Sequence, residues 1–260
     1  MLIYFDTSYI IFYRYHALLN WYKLAKPEQE INEALVCSAE FTNKFKDLFI
    51  KMINSIIEKY QKDNPVLKIY FARDCSRKDI WRMGMASSYK EGRANNNYVS
   101  YAFKNALNII NELCLRYDNY LVLYCENCEA DDIIAVSTKH FVDEKIVIYT
   151  SDHDYLQLIK PNIDIFDLKG RSLKDKSVGD PAKDLLIKIL MGDKSDNIPA
   201  IKPRLGRKTA QGLTENPDKL ELLLKDDTIK QKYEHNKKMI DFDMIPTELK
   251  ENILKLYSNL

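Results

Sequence analysis

The chain alternates between short, continuous apolar runs and longer segments in which apolar residues recur at helical spacing. The short runs predict strands buried on both faces, at residues 2–5, 67–72, 120–124, 145–149 and 163–168. Segment 38–60 predicts the clearest helix, because Phe41, Phe45 and Phe49 share one of its faces. The alternation predicts an α/β domain with a mostly parallel central sheet flanked by helices.

The pattern changes near residue 178. From Asp180-Pro181 onward it predicts helices only, with short breaks at residues 192–203, 216–217 and 245–246. We therefore expect an α/β domain over residues 1–178 and a helical region over residues 179–260.

Composition leaves the class of function open. The 260 residues are 46% hydrophobic, and 39 basic side chains stand against 38 acidic ones. This balance does not by itself indicate a nucleic-acid partner, although it averages over local clusters of charge. Five cysteines and no signal-peptide pattern favour a reducing, cytoplasmic environment, and no apolar run has the length of a membrane span.

Three carboxylates are concentrated where the third predicted strand gives way to a helix, in Glu129-Ala130-Asp131-Asp132. One interpretation is purely structural, since acids in a first helical turn complement the positive end of the helix dipole. Three acids in one turn also repel one another, and a bound cation would relieve that repulsion. The choice depends on whether other carboxylates reach the same place.

Other carboxylates follow the ends of the neighbouring strands. Asp6 ends the first strand, Asp74 lies just beyond the second, and Asp152 and Asp154 follow the fourth. Sites in open α/β sheets form outside the carboxyl ends of the strands, so these side chains should face one crevice. Asp193 and Asp196, in a motif that begins at Gly192, add two more acids.

An all-oxygen donor set of this size favours hard cations such as Mg²⁺ or Mn²⁺ over zinc. The acids outnumber the ligands of one octahedral ion that keeps some water, so we expect two ions. Two such ions suit phosphodiester hydrolysis, because one activates the attacking water and the other stabilises the leaving oxygen. Cys125-x-x-Cys128 has no second pair at metal-ligand spacing and is interpreted as two ordinary cysteines.

Two segments carry a local excess of basic residues. The first, residues 73–97, includes Arg77, Arg82, Lys90 and Arg93, interleaved with Trp81 and Tyr89. We expect a mobile segment that contacts nucleic acid, in which Lys90 and Arg93 neutralise a phosphate and Tyr89 stacks on a base. A solvated loop is the alternative.

The second basic segment includes Lys202, Arg204, Arg207, Lys208 and Thr209. It reads as a turn that opens onto a helix N-terminus, where free backbone N–H groups can bind a phosphate. The alternative is a basic surface turn.

In their order along the chain, these motifs resemble those of the flap endonuclease/5′→3′ exonuclease family, which includes the 5′-nuclease domain of bacterial DNA polymerase I and phage enzymes. The similar motifs cover almost the whole chain: Asp6 after the first strand, Phe71-Ala72-x-Asp74, Tyr89-Lys90-x-Gly92-Arg93, Glu129-Ala130-Asp131-Asp132, Ser151-Asp152-x-Asp154 and Gly192-Asp193-x-Ser195-Asp196-Asn197-Ile198-Pro199. Trp81-Arg82 and Ile240-Asp241-Phe242-Asp243 are similar to phage members.

The resemblance implies a PIN/5′-nuclease-like fold and a structure-specific 5′→3′ exonuclease or flap endonuclease of replication or repair. It implies a first metal held by Asp6, Asp74, Glu129 and Asp131, and a second served by Asp132, Asp152, Asp154, Asp193 and Asp196. Lys90 and Arg93 would act on the scissile phosphate from the base of a mobile arch at about residues 76–98, with Asp6 and Asp132 as further catalytic residues.

The resemblance also implies a helix–hairpin–helix at about residues 186–213 that holds the duplex, with a K⁺ ion in many members. The implied partners of this monomer are branched or nicked duplex DNA, RNA–DNA hybrids, and a single-strand-binding protein or other replication machinery, with no membrane association. The hairpin departs from the family's Gly-x-Gly, since Pro203-Arg204-Leu205-Gly206 stands there. The K⁺ site is therefore left open.

Three alternatives compete with this interpretation. A haloacid-dehalogenase-like phosphatase also begins with a strand ending in Asp, but Asp6-Thr7-Ser8 lacks that family's second Asp, and the segment ahead of Gly192 favours a helix. A PIN-type ribonuclease would lack the basic helical region after residue 180. A non-catalytic DNA-binding relative would have lost acids that are all present here.

Overall fold

The computed structural model describes residues 1–92 and 97–258. Five strands form its central sheet: β1 (Leu2–Asp6), β2 (Lys68–Arg73), β3 (Tyr120–Tyr124), β4 (Ile146–Tyr149) and β5 (Ile163–Phe166). They lie in the order β3-β2-β1-β4-β5, and every neighbouring pair is parallel. The predicted α/β class is confirmed, and each strand coincides with an apolar run.

Helices surround the sheet, and the described chain after residue 180 contains helices and no further strands of the sheet. They are α1 (Thr7–Ala25), α2 (Glu33–Val36), α3 (Ala39–Gln61), α4 (Asn97–Arg116), α5 (Ala130–His140), α6 (Pro181–Met191), α7 (Arg207–Thr214), α8 (Pro217–Leu223), α9 (Asp227–Ile240) and α10 (Thr247–Lys255). None of these described helices is long and apolar enough to cross a bilayer.

Both faces of the sheet are covered, which explains why the strands are apolar throughout. Helices α1 to α4 pack on one face and α5 and α10 on the other. Successive residues of a strand point to opposite faces. Accordingly Ile3 and Phe5 belong to the first core, whereas Leu2 and Tyr4 belong to the second.

Side-chain caps determine where two of the helices that frame the site begin. Asp6 ends β1, and its Oδ1 accepts the backbone N–H of Tyr9 at 3.1 Å. This hydrogen bond caps α1, which begins at Thr7. Asp180 accepts the N–H of Ala182 at 2.9 Å, and Pro181 occupies the first position of α6. The carboxylate of Asp6 therefore both ends β1 and fixes the start of α1.

The helical region after residue 179 shares its core with the sheet. Loop 192–206 joins α6 to α7, and the buried Asn236 of α9 donates to the carbonyl oxygens of Ile189 at 2.9 Å and Pro199 at 2.8 Å. Helix α10 returns to the sheet, where Leu249 and Ile253 are buried beside α5. The helices therefore hold loop 192–206, the position of the predicted hairpin, against the α/β part.

The described part of the predicted arch packs on the body of the protein. It contains two short 3-10 helices, Arg77–Asp79 and Trp81–Gly84. Ile80 and Tyr89 are buried in a small core with Ile240 of α9. Residues 93–96, to which the predicted mobile arch also extends, lie outside the described residues.

Gly192 should be essential for the loop that follows α6. Its φ is +65°, and a Cβ there would lie 2.3 Å from the carbonyl oxygen of Ile198 and 2.5 Å from that of Pro199. Gly192→Ala should lower the free energy of unfolding by about 2–4 kcal/mol, measured by urea denaturation. Gly84→Ala is the control, because its Cβ would meet nothing within 4 Å. Equal losses in both variants would contradict this packing.

Candidate active site

A cleft of about 470 Å³ opens at the carboxyl ends of β1, β2 and β4, beside the position where the strand order reverses. The predicted metal ligands that line it are Asp6, Asp74, Glu129, Asp131, Asp152 and Asp193. The convergence expected from the strand ends is thus present for these acids.

Asp6 and Asp74 are held at neighbouring strand ends by donors from other segments. Asp6 Oδ2 accepts from Thr150 Oγ1 at 3.1 Å. Asp74 Oδ1 accepts the backbone N–H of Ala130 at 2.8 Å, and its Oδ2 accepts from Ser8 Oγ. Burial and the nearby Asp74 raise the pKa of Asp6 to about 7, the expected consequence of placing carboxylates side by side.

Glu129 and Asp131 reach the cleft from the start of α5. Nearby cations offset the burial of Glu129 but not that of Asp131. Glu129 Oε1 pairs with Lys90 Nζ, while its Oε2 lies 2.9 Å from Arg82 Nη1 and 3.0 Å from the hydroxyl of Tyr89. Burial acts to raise the pKa of Glu129, but Lys90 and Arg82 outweigh it and lower the pKa. Burial raises the pKa of Asp131 well above its ordinary value.

Lys188 of α6 lies between Asp154 and Asp193. Its Nζ is 2.5 Å from Asp193 Oδ2 and 2.6 Å from Asp154 Oδ1, the latter a close ion pair without the alignment of a hydrogen bond. Burial and Asp152 raise the pKa of Asp154 to about 7. Burial also acts on Asp193, but Lys188 and Ser195 outweigh it and lower its pKa to about 2.

The chemistry of these donors fits divalent metal ions. All the acids offer oxygen, the donor that hard cations prefer. The raised pKa values of Asp6, Asp131 and Asp154 reflect burial and repulsion between carboxylates, and bound cations would relieve that repulsion. Glu129 and Asp131 lie together at the start of α5, whereas Asp154 and Asp193 are joined through Lys188.

Asp132, predicted to serve the second metal and catalysis, does not line the cleft. Its fully buried carboxylate accepts from Arg82 Nη1 at 3.0 Å and Nη2 at 2.8 Å, from Trp81 Nε1 at 2.9 Å and from the backbone N–H of Glu129 at 3.0 Å. Three of these donors share Oδ2, and Arg82 Nη2 is the donor given for Oδ1. A carboxylate oxygen of Asp132 lies within 4.8 Å of those of Glu129 and Asp131, but Asp132 does not line the cleft with Asp152 and Asp193.

Two predicted nucleic-acid contacts are corrected by their burial. Tyr89 is 3% exposed, and its ring packs in the core beside Ile80, so it does not offer a face for stacking on a base. Its hydroxyl lies 3.2 Å from Asp196 Oδ2, which places that acid behind the cleft too. Arg82 is 2% exposed, and its guanidinium forms ion pairs with Glu129 and Asp132 inside the protein. Basic composition alone did not distinguish these side chains from surface ones.

Lys90 lines the cleft in a constrained backbone conformation. Its φ is +58°, which costs a residue other than glycine about 1–3 kcal/mol, and its N–H donates to the carbonyl oxygen of Asp196 at 3.0 Å. Arg77 is exposed and donates to the carbonyl of Lys90. Arg93, the predicted partner of Lys90, lies outside the described residues.

A second cleft, of about 830 Å³, follows the hairpin loop and shares His153, Lys188 and Asp193 with the first. Besides Lys188, the basic residues that line it are Lys194, Lys202, Arg204, Arg207 and Lys232. Lys208 and Thr209 are exposed in the first turn of α7. Arg204 has a φ of +60°, so it takes a left-handed conformation in the stretch where the family has Gly-x-Gly.

Sequence reasoning missed several residues of the site. Lys188 had a recognisable signal, because it is an isolated charge in the apolar stretch before Gly192. Ser8 and Thr150 had none beyond their positions next to strand ends. Phe12, whose exposed ring lines the cleft one helical turn beyond Ser8, has no sequence signal that separates it from the other aromatic residues of α1.

Family models match the chain from end to end. The model described as 5′-3′ exonuclease, N-terminal resolvase-like domain, matches residues 1–183, and the model described as T4 RNase H, C terminal, matches residues 179–260.

Curated relatives agree with these matches. Ribonuclease H of Enterobacteria phage T4 is 31% identical over 216 residues, which cover 74% of this chain and 70% of that protein. The 5′-3′ exonuclease of Aquifex aeolicus is 28% identical over 222 residues, 82% of this chain and 71% of that protein. DNA polymerase I of Rhizobium leguminosarum is 32% identical over 148 residues, 52% of this chain but only 14% of its own length.

Solved structures show the same fold. The D15 protein of phage T5, crystallised with metal ions, superposes with a TM-score of 0.70 at 15% identity, over 99% of this chain and 98% of that one. A complex of the T5 D15 flap endonuclease with DNA and metal ions gives 0.67 at 16% identity over the same shares. Together with the helix ahead of Gly192, the comparisons support the nuclease interpretation and not the phosphatase.

The apparent affinity for Mn²⁺ should rise with pH up to about 7. Asp6 and Asp154, whose pKa values are raised to about 7, must lose protons to bind a cation. The favourable form is therefore present above pH 7 and lost as the pH falls through it, by up to about tenfold in affinity per pH unit for each proton displaced. Isothermal titration calorimetry in buffers of different ionisation enthalpy measures both the Mn²⁺ affinity and the number of protons released on binding. A constant affinity between about pH 5.5 and 7.5 would contradict the arrangement.

Proposed function

The chain belongs to the flap endonuclease/5′-3′ exonuclease family, and on this basis we propose that it hydrolyses phosphodiester bonds at the 5′ ends, flaps or RNA primers of duplex DNA. The observation that carries the proposal is the cleft at the sheet edge, where acids from several strand ends lie beside the ammonium group of Lys90. The basic cleft along the hairpin adjoins it and supplies a surface for the duplex.

We propose two Mg²⁺ or Mn²⁺ ions as cofactors. Asp6, Asp74, Glu129 and Asp131 would hold one, and Asp152, Asp154 and Asp193 the other. Such ions, when bound, supply a nucleophile from water at neutral pH and stabilise charge on the leaving oxygen. The expected products are a 5′-phosphate and a 3′-hydroxyl.

Protein side chains would orient the substrate in the cleft. Lys90 sits beside Glu129, and its ammonium can transfer its contact to a non-bridging oxygen of the scissile phosphate. Arg93 is proposed to assist it. Phe12 offers an exposed aromatic face on the cleft wall, a suitable platform for an unpaired base now that Tyr89 is known to be buried.

The hairpin is proposed to hold the duplex through its phosphates. Lys202, Arg204, Lys208 and Thr209 would contact the backbone, and a K⁺ ion at this loop stays a prediction. Because one relative is named Ribonuclease H and another is a DNA polymerase, RNA–DNA hybrids are proposed as substrates beside branched or nicked DNA. A single-strand-binding protein or another replication protein is the proposed partner of a monomeric, cytoplasmic enzyme.

Asp131→Asn should lower the rate of cleavage by about a hundredfold or more while leaving the fold intact, because it removes an acid that reaches the cleft without a dedicated counter-ion. Rates are measured on gels with a 5′-flap, a nicked duplex and an RNA-primed duplex, each with and without Mg²⁺.

Asp47→Asn is the matched control, since Asp47 is exposed on α3 and away from the cleft. Its rate should equal that of the unchanged protein. Wild-type cleavage by Asp131→Asn, or cleavage that persists in EDTA, would refute the proposed function.

Removing the hairpin charges should weaken duplex binding and make it less sensitive to salt. Every phosphate that Lys202, Arg204 or Lys208 no longer neutralises should reduce the steepness of log affinity against log salt by about 0.9. Fluorescence anisotropy with Ca²⁺ in place of Mg²⁺ measures the slope for a triple alanine variant. Lys51→Ala, which changes an exposed lysine of α3, is the control. An unchanged slope in the triple variant would place the duplex on another surface.

A further inference from the structure

Arg82 is buried behind the cleft and contacts two separate parts of the chain, the start of α5 and the end of α9. Its Nη1 and Nη2 form a fork on the carboxylate of Asp132, at 3.0 and 2.8 Å. Nη1 also lies 2.9 Å from Glu129 Oε2, and Nε donates to the carbonyl oxygen of Met239 at 2.8 Å. We call Arg82, Asp132, Glu129 and the Met239 carbonyl the Arg82 network. Only the planar guanidinium has enough donors in a fixed plane for these contacts.

Asp132 acts in this network as an acceptor for buried donors. Beyond the Arg82 fork, it accepts from the indole of Trp81 at 2.9 Å, and the ring of Trp81 lies 4.5 Å from the guanidinium carbon. The backbone N–H of Glu129 donates to the same oxygen at 3.0 Å. Because Asp132 is fully buried, a metal ion on its carboxylate would have to enter a dry interior and compete with Arg82, which is costly.

Glu129 divides its two oxygens between the network and the cleft. Oε2 is fixed on the inner side by Arg82 and by the hydroxyl of Tyr89, while Oε1 meets Lys90, which lines the cleft. The carboxylate plane is therefore set by the inner contacts, and one oxygen is turned towards the cleft. Neighbouring hydrogen bonds that orient a metal ligand in this way commonly strengthen metal binding.

Helix α9 connects the network to the hairpin. Met239, whose carbonyl accepts from Arg82, lies in the last turn of α9. One turn earlier, Asn236 donates to the carbonyls of Ile189 in α6 and Pro199 in the hairpin loop. The chain of contacts thus runs from the proposed duplex-binding loop through α9 and Arg82 to Glu129.

We propose that Arg82 is a positioning residue of the metal centre: it fixes Glu129 towards the cleft, with Asp132 as its counter-ion, and couples that acid to the hairpin through α9. Asp132 thereby serves Arg82 and is not a metal ligand. The inference rests on the proposed metal-dependent function. It is tested by Mn²⁺ binding without nucleic acid, so its outcome is separate from whether the protein cleaves a given substrate.

The first test counts bound Mn²⁺ by electron paramagnetic resonance in the unchanged protein, Asp132→Asn and Asp131→Asn. Asparagine keeps an acceptor for Trp81 and Glu129 while removing the charge. We expect Asp132→Asn to bind as many ions as the unchanged protein and Asp131→Asn to bind fewer. Loss of an ion in Asp132→Asn would overturn the inference.

The second test separates positioning from folding. Arg82→Met alone leaves the charge of Asp132 buried without a partner and should lower Tm strongly, even to the point of unfolding. The double variant Arg82→Met/Asp132→Asn removes both charges, so it should recover most of the lost Tm. Its Mn²⁺ affinity should nevertheless stay about ten- to a hundredfold weaker, since Glu129 remains without its inner partner.

Arg82→Lys keeps the charge and removes the fork, and it should also bind Mn²⁺ more weakly, at a Tm between those of Arg82→Met and the unchanged protein. In both variants the Mn²⁺ concentration for half-maximal cleavage should shift with the binding constant, and saturating Mn²⁺ should restore most of kcat. Wild-type Mn²⁺ affinity in a double variant that has regained its Tm would show that Arg82 only stabilises the fold, and would refute the proposal.

Discussion

Carboxylates gathered at one edge of a parallel sheet repel one another, and the protein must balance that charge before any ion binds. Among the described residues, three cations do so: Arg82 at Glu129 and Asp132, Lys90 at Glu129 and Asp196, and Lys188 at Asp154 and Asp193. The compensation is incomplete, because the pKa of Asp6 stays raised by burial and by Asp74. The remaining repulsion is concentrated in the cleft, where a divalent cation would relieve it.

This charge balance depends on the rest of the fold, since burying ion pairs is itself costly. Apolar side chains on both covered faces of the sheet offset this free-energy cost through their own burial. Helix α10, the last of the chain, completes one of the two covers with Leu249 and Ile253. The site at the strand ends is therefore supported by residues at both ends of the sequence, and the α/β part and the helical region stabilise it together.

The strands, the main helices and the convergence of Asp6, Asp74 and Asp152 could be predicted, because each follows from local periodicity and from the geometry of parallel sheets. The placement of Asp131 and Asp132 could not. Adjacent residues of a helix point about 100° apart, and no local pattern shows which of them faces a cleft. The roles of Arg82 and Tyr89 were misjudged for a related reason. A segment's composition records its charge and aromatic content, whereas burial depends on partners as distant as Met239, 157 residues further along the chain.

For the same reason, the sequence did not predict the contacts between residues 88–90 of the arch segment and residues 196–197 of the loop after α6. Lys90 and Asn197 both have positive φ values, of 58° and 59°, a conformation that asparagine tolerates better than lysine. Two contacts hold these residues: the N–H of Lys90 donates to the carbonyl of Asp196, and Asn197 Nδ2 donates to the carbonyl of Ser88, both at 3.0 Å. Because these contacts join the residue that faces the cleft to the loop that begins at Gly192, a displacement of that loop would also displace the ammonium of Lys90. The position of the Lys90 ammonium group in the cleft thus depends on the backbone of the same loop that contributes to the proposed duplex-binding surface.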